Sequence, residues 1–180
     1  MARIFLILLA LSWGRPALAQ SLSCSLTFEL EVTQGIGPYP PGTPLTVAAE
    51  FETLRSFRQE GGATAHLTSG TMVLDGDISG RLWSLISTSR DQAANLIGLY
   101  AVDVEGLTFV GQEYRGPMTI TLYGEAGQWP HERPPITQAE WDSFNLRRSF
   151  LLHSIESRDW LAGDITSLTA ACVDSPAPAD

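Results

Sequence analysis

Apolar and polar residues that alternate with a period of two set the class of fold open to this chain. Leu26, Phe28, Leu30 and Val32 alternate with Thr27, Glu29, Glu31 and Thr33. Only an extended strand sends successive side chains to opposite faces, so this run predicts a strand with one buried and one wet face. Leu45, Val47, Ala49 and Phe51 repeat the pattern in a second strand. The segment between them, Gly35-Ile36-Gly37-Pro38-Tyr39-Pro40-Pro41-Gly42, is a rigid loop, because Pro fixes φ and Gly permits turns.

Residues 54–63 lack a period and predict an irregular connection. A third strand is expected over 64–74, with a hairpin turn at Asp75-Gly76-Asp77 and a returning strand over 78–88 that bulges near Gly80. Residues 96–104 are apolar on both faces and predict a central strand. Glu105-Gly106 turns it into 107–110, and 118–123, 149–154 and 164–170 complete the set. Thr137 and Glu140 stand at the spacing of a capping box, predicting one short helix that runs to Phe144. Short strands, Gly/Pro turns and one short helix predict an all-β domain, an antiparallel β-sandwich of jelly-roll type.

The first nineteen residues have another purpose. Arg3 precedes an apolar run over 4–13, Pro16 breaks it, and Ala17-Leu18-Ala19 supplies the small residues a signal peptidase reads. Cleavage is expected after Ala19. The run is too short to cross a bilayer, which takes about 20 residues, and no transmembrane anchor is expected in the mature chain. A lipidated Cys24 is disfavoured, because Leu22 stands at the wrong distance before it. The protein is therefore expected to be secreted or periplasmic. The organisation expected is a signal peptide over 1–19, the sandwich over 20–172, and a disordered Pro/Ala/Asp tail over 173–180.

Cys24 and Cys172 are the only cysteines. Export would place them in an oxidising compartment, where pairing is the default. One precedes the first strand and the other follows the last, so a bond between them requires those strand ends to be neighbours.

Charge excludes several functions. The chain has 11 cations, all Arg, against 20 acids, a net −9 at pH 7. No nucleic-acid partner is expected, because phosphate binding needs clustered cations. Without Lys, neither a Gly-Lys-Ser/Thr phosphate loop nor a Ser-x-x-Lys nucleophile is possible, and Gly-x-Ser-x-Gly is absent. His66, His131 and His153 lie in separate segments without metal-ligand spacing, so no metal site and no cofactor is expected. Asp75 and Asp77 belong to a turn rather than to a calcium loop. Glu29 with Glu31, and Glu50 with Glu52, share outward strand faces, where acids solubilise more often than they catalyse. No catalytic residue is assigned.

Aromatic residues carry the best binding hypothesis. Tyr39 and Trp129 lie in Pro-containing loops and Trp141 on the short helix, where exposed rings would stack on sugars or on a partner's side chains. The competing reading has these rings plugging the ends of the sandwich. Trp83 and Trp160, in or beside strands, are expected in the core, and Arg147-Arg148 at a solvated strand edge.

The leader, the strand Leu26-Thr27-Phe28-Glu29-Leu30-Glu31-Val32-Thr33, the Gly-Thr-Pro-Leu-Thr-Val strand at 42–47, and the closing Ser149-Phe150-Leu151-Leu152 and Gly163-Asp164-Ile165-Thr166-Ser167-Leu168-Thr169 together resemble exported bacterial β-sandwich domains that often carry a PEP-CTERM sorting tail. The resemblance implies an extracellular or envelope sandwich and supplies no catalytic residues. Such relatives often end in Pro-Glu-Pro, an apolar helix and a basic cluster. Residues 170–176 read Ala-Ala-Cys-Val-Asp-Ser-Pro, so sorting by that tail is not expected. The function expected is that of an exported, non-enzymatic binding module or envelope component, its partner a carbohydrate or another envelope or extracellular protein. Two alternatives stand beside it: an extracellular polysaccharide hydrolase or lyase, and a protein-binding inhibitor or adhesion subunit.

Overall fold

The computed structural model of the protein describes residues 21–59, 62–88, 95–129, 133–154 and 159–175. The expected leader, His131 and residues 176–180 lie outside the described residues. The strands are β1 (Ser21–Gln34), β2 (Pro44–Arg58), β3 (Ala63–Leu74), β4 (Ile78–Thr88), β5 (Asn95–Glu105), β6 (Thr108–Phe109), β7 (Gln112–Glu113), β8 (Met118–Gly124), β9 (Arg147–His153) and β10 (Trp160–Ser175). The helix α1 (Gln138–Asp142) lies between β8 and β9.

The strands do not form a sandwich. They close into one barrel in the order β1-β10-β9-β8-β5-β4-β3-β2, with every neighbouring pair antiparallel. β6 and β7 make a separate small hairpin in the connection from β5 to β8. Closure rests on β1, which pairs with β2 along one edge (Phe28↔Val47) and with β10 along the other (Phe28↔Leu168). A sandwich would need strands that leave one sheet for another. Here each strand turns back beside its predecessor, and the last meets the first. Register shifts in β1–β10, β2–β3, β3–β4 and β4–β5 add the local twist that curls a sheet onto itself.

The predicted alternation places the inward residues correctly. Leu26, Phe28, Leu30 and Val32 on β1 and Leu45, Val47, Ala49 and Phe51 on β2 are all buried. Across the barrel, Ile97, Leu99 and Ala101 meet Met118, Ile120, Leu122, Phe150 and Leu152 in the same core. Fully burying one such large apolar side chain contributes about 1.5–3 kcal/mol. Strands extend beyond their predicted limits, and β2 and β3 run into the segment expected to be irregular. β10 continues through Val173, Asp174 and Ser175, into the expected tail, because these residues pair with Ser23, Leu22 and Ser21.

Cys24 and Cys172 form a disulfide, with Cα atoms 4.1 Å apart across the β1–β10 seam. This closely spaced type of cross-strand pair lets one bond join the first and last strands.

Candidate functional site

The barrel has two differently built ends. One is covered by the connection from β8 to β9. Thr137 caps α1: its hydroxyl accepts from the Glu140 amide while the Glu140 carboxylate accepts from the Thr137 amide, the predicted capping box. Gln138 fixes the helix to β10 by donating to the Leu168 carbonyl and accepting from the Ala170 amide, at 2.9 and 2.7 Å. This anchoring turns Trp141 inward, where it is 0% exposed. Trp129 is 4% exposed, its amide donating to Asn95 Oδ1 and its indole N–H to the Arg133 carbonyl. The Trp129 ring packs 5.8 Å from Phe144, and the Arg133 guanidinium lies 5.3 Å from its centroid.

Two of the three predicted ligand-binding aromatics are therefore core plugs. Burial of an indole at a barrel mouth outweighs its exposure in a loop. Tyr39, the third, is half-buried at the opposite end, its amide bonded to the Ile36 carbonyl at 2.8 Å. Burial raises its phenol's pKa, and the carboxylates of Asp75 and Asp77 raise it further. The three residues do not converge on one site.

Among the described residues, no group of three or more His, Cys, Asp and Glu side chains is arranged to hold a metal ion, and no helix is long and apolar enough to cross a membrane. His66 is 3% exposed, with Ser56 Oγ 2.6 Å from Nδ1 and Ser87 Oγ 3.1 Å from Nε2. The hydroxyls hold the ring from both sides and tie β2, β3 and β4 together at the plugged end.

A groove of about 600 Å³ runs over the outer wall across β2–β5, and a cleft of about 450 Å³ opens beneath the β6–β7 hairpin. Asp103 and Glu105 line both. The groove exists because the β3–β4 ladder breaks between Leu67 and Thr71. At its floor β2 passes so close to Gly70 that a Cβ there would lie 2.1 Å from the Glu50 carbonyl oxygen. Beside it, β4 shifts register against β5 between Leu82 and Ser84. Leu82 and Leu85 are both buried, and the residue between the shifted pairs, Trp83, turns outward.

Trp83, expected in the core, is thus 49% exposed, and its ring meets Tyr100 edge-on at 6.4 Å. Trp160 is partly exposed as well. Arg81, two residues before Trp83, donates from Nε (3.1 Å) and Nη2 (2.8 Å) to Asp103 Oδ2. Asp103 takes this position with a φ of 54°, a left-handed conformation that Asp tolerates better than most residues. In the cleft, Arg115 pairs with Glu113. The Arg81–Asp103 pair thus lines a groove that also carries Leu54 and the hydroxyls of Ser69, Thr71 and Ser79, and Trp83 stands two residues further along the same outward face of β4. The chain matches no family model, no curated protein and no solved structure.

Proposed function

We propose that the protein is an exported, non-catalytic binding module that recognises an envelope or extracellular ligand on its outer wall. The observation that carries this reading is Trp83: a half-exposed indole, supported by Tyr100, on the same outward strand face as Arg81, which lines a groove with its own polar groups. A large aromatic displayed next to a concavity marks recognition surfaces more often than solvated ones. Export is supported by the leader-like N-terminus and by the disulfide, which suits an oxidising compartment. A two-carboxylate hydrolase is less well supported, since Asp103 and Glu113 each face an Arg and only Glu105 of the cavity acids has no ion-pair partner among the described residues.

Sedimentation with envelope fractions and insoluble polysaccharides tests the reading. The oxidised protein is expected to co-sediment with at least one of them without releasing reducing ends, and the Trp83→Ala variant to stay in solution. Release of reducing ends would overturn the non-catalytic reading, and equal sedimentation of the variant would remove the site. Export is checked by cell fractionation. Intact precursor confined to the cytoplasm would overturn it.

A further inference from the structure

We infer that the outer-wall groove binds a neutral glycan chain, one pyranose ring stacking on Trp83 while Arg81 and Asp103 hold adjacent hydroxyls. This inference rests on the binding-module reading and adds the ligand class. A pyranose has an apolar C–H face and a rim of hydroxyls that both donate and accept. The half-exposed Trp83 indole, braced edge-on by Tyr100, meets the first requirement. For the second, both Arg81 contacts go to Asp103 Oδ2, which leaves Asp103 Oδ1 as an acceptor and Arg81 Nη1, on the far edge of the guanidinium, as a donor outside the pair. Arg81 and Trp83 both point outward from β4, at the spacing of residues that share a strand face. Ser69, Thr71 and Ser79 add hydroxyls to the groove.

Charge narrows the class. The Arg81–Asp103 pair is neutral as a whole, and Glu105 leaves the groove acidic, which opposes an anionic polymer. Gly70 and Gly80 leave the groove floor without side chains, and Leu54 is its one large apolar lining residue. A neutral sugar chain satisfies the ring, the split ion pair and the hydroxyls together.

Calorimetric titration of the oxidised protein with cellohexaose, maltohexaose and chitohexaose, against polygalacturonate, tests the inference. Saturable binding of at least one neutral hexasaccharide is expected, unchanged at raised salt. Trp83→Ala should abolish it. Asp103→Asn, which keeps a residue tolerant of positive φ, should weaken it about tenfold. Trp160→Ala should bind as the parent does, and all variants should keep the parent circular-dichroism spectrum. No binding of any neutral hexasaccharide, parental binding by Trp83→Ala, or salt-sensitive binding of polygalacturonate alone would each overturn the inference. If the neutral sugars fail while sedimentation still depends on Trp83, the glycan assignment falls and the binding module stands. If sedimentation too ignores Trp83, both fall.

Discussion

Replacing Glu140 with Gln removes the charge that organises the plugged end of the barrel. The carboxylate accepts from the Ile136 and Thr137 amides at 2.7 and 3.0 Å and from Arg133 Nη2 at 2.7 Å. Partial burial pushes its pKa upward, but the Arg133 guanidinium and the two amides outweigh that effect and lower it from 4.5 to about 2. Because the folded-state pKa is depressed, the stabilisation is present above the unfolded value. It disappears as pH falls from about 4.5 to about 2. That interval corresponds to at most about 3 kcal/mol. Water around a side chain that is 25% exposed screens the interaction, so about 1–2 kcal/mol is expected, within the range for losing a helix cap. Urea unfolding followed by tryptophan fluorescence, repeated at steps from pH 7 to pH 2, measures it. The parent should exceed Glu140→Gln by about 1–2 kcal/mol at pH 7, and the difference should shrink to near zero towards pH 2. Parallel curves over the whole range would refute the reasoning, because they would show that the charge contributes nothing.

Other perturbations probe closure and packing. The double variant Cys24→Ala/Cys172→Ala opens a loop with a sequence separation of 148, which the chain-entropy treatment values at up to about 5 kcal/mol; unfolding midpoints should fall steeply, and an unchanged midpoint would remove the seam from the account of stability. In Gly70→Ala the new Cβ meets the β2 backbone at 2.1 Å, an overpacking expected to cost about 1–3 kcal/mol in chemical denaturation. Val110 holds a φ of 50° at an exposed hairpin tip; Val110→Gly should stabilise the protein by about 1 kcal/mol, read as a higher Tm, and a lower Tm would refute the strain assigned to it.

Much of this architecture was legible in the residues. Alternation placed the inward faces of β1 and β2, the Asp75–Asp77 turn and the 78–88 strand match the structure, and Thr137 with Glu140 announced the helix start. Closure was not legible, because alternation states which face of a strand is buried and nothing about which strand lies beside it. The cysteines held the missing cue: in a chain whose strands each turn back on the last, a bond between the first and last closes the sheet. Trp83 was misplaced for a local reason. Ile78, Gly80 and Leu82 face inward and put Trp83 outward, while the bulge between Leu82 and Ser84 turns Leu85 and Ser87 inward, so the apolar residues on its two sides give conflicting phases to a periodicity count. Trp129 and Trp141 were placed in the right segments with the wrong facing, since the Gln138 anchor on β10 and the Asn95 contact that set it are long-range.

The filled interior bears on where the proposed binding would take place. An eight-stranded barrel has an interior only about wide enough for its own side chains or for one small ligand. Phe28, Met72, Phe150 and Trp141 occupy that interior here, and Trp129 with Phe144 covers one mouth. A packed interior leaves only the outside of the barrel for the binding proposed above, for any ligand larger than a small solute. The outer wall of a regular barrel is convex and gives little purchase. Irregularities supply what regular strands cannot: the broken β3–β4 ladder makes a groove, and the left-handed Asp103 brings a carboxylate to Arg81, on the β4 face that also carries Trp83. These features lie together on β3, β4 and β5. The recognition surface proposed above therefore rests on departures from regular pairing in β3, β4 and β5 rather than on the regular ladders.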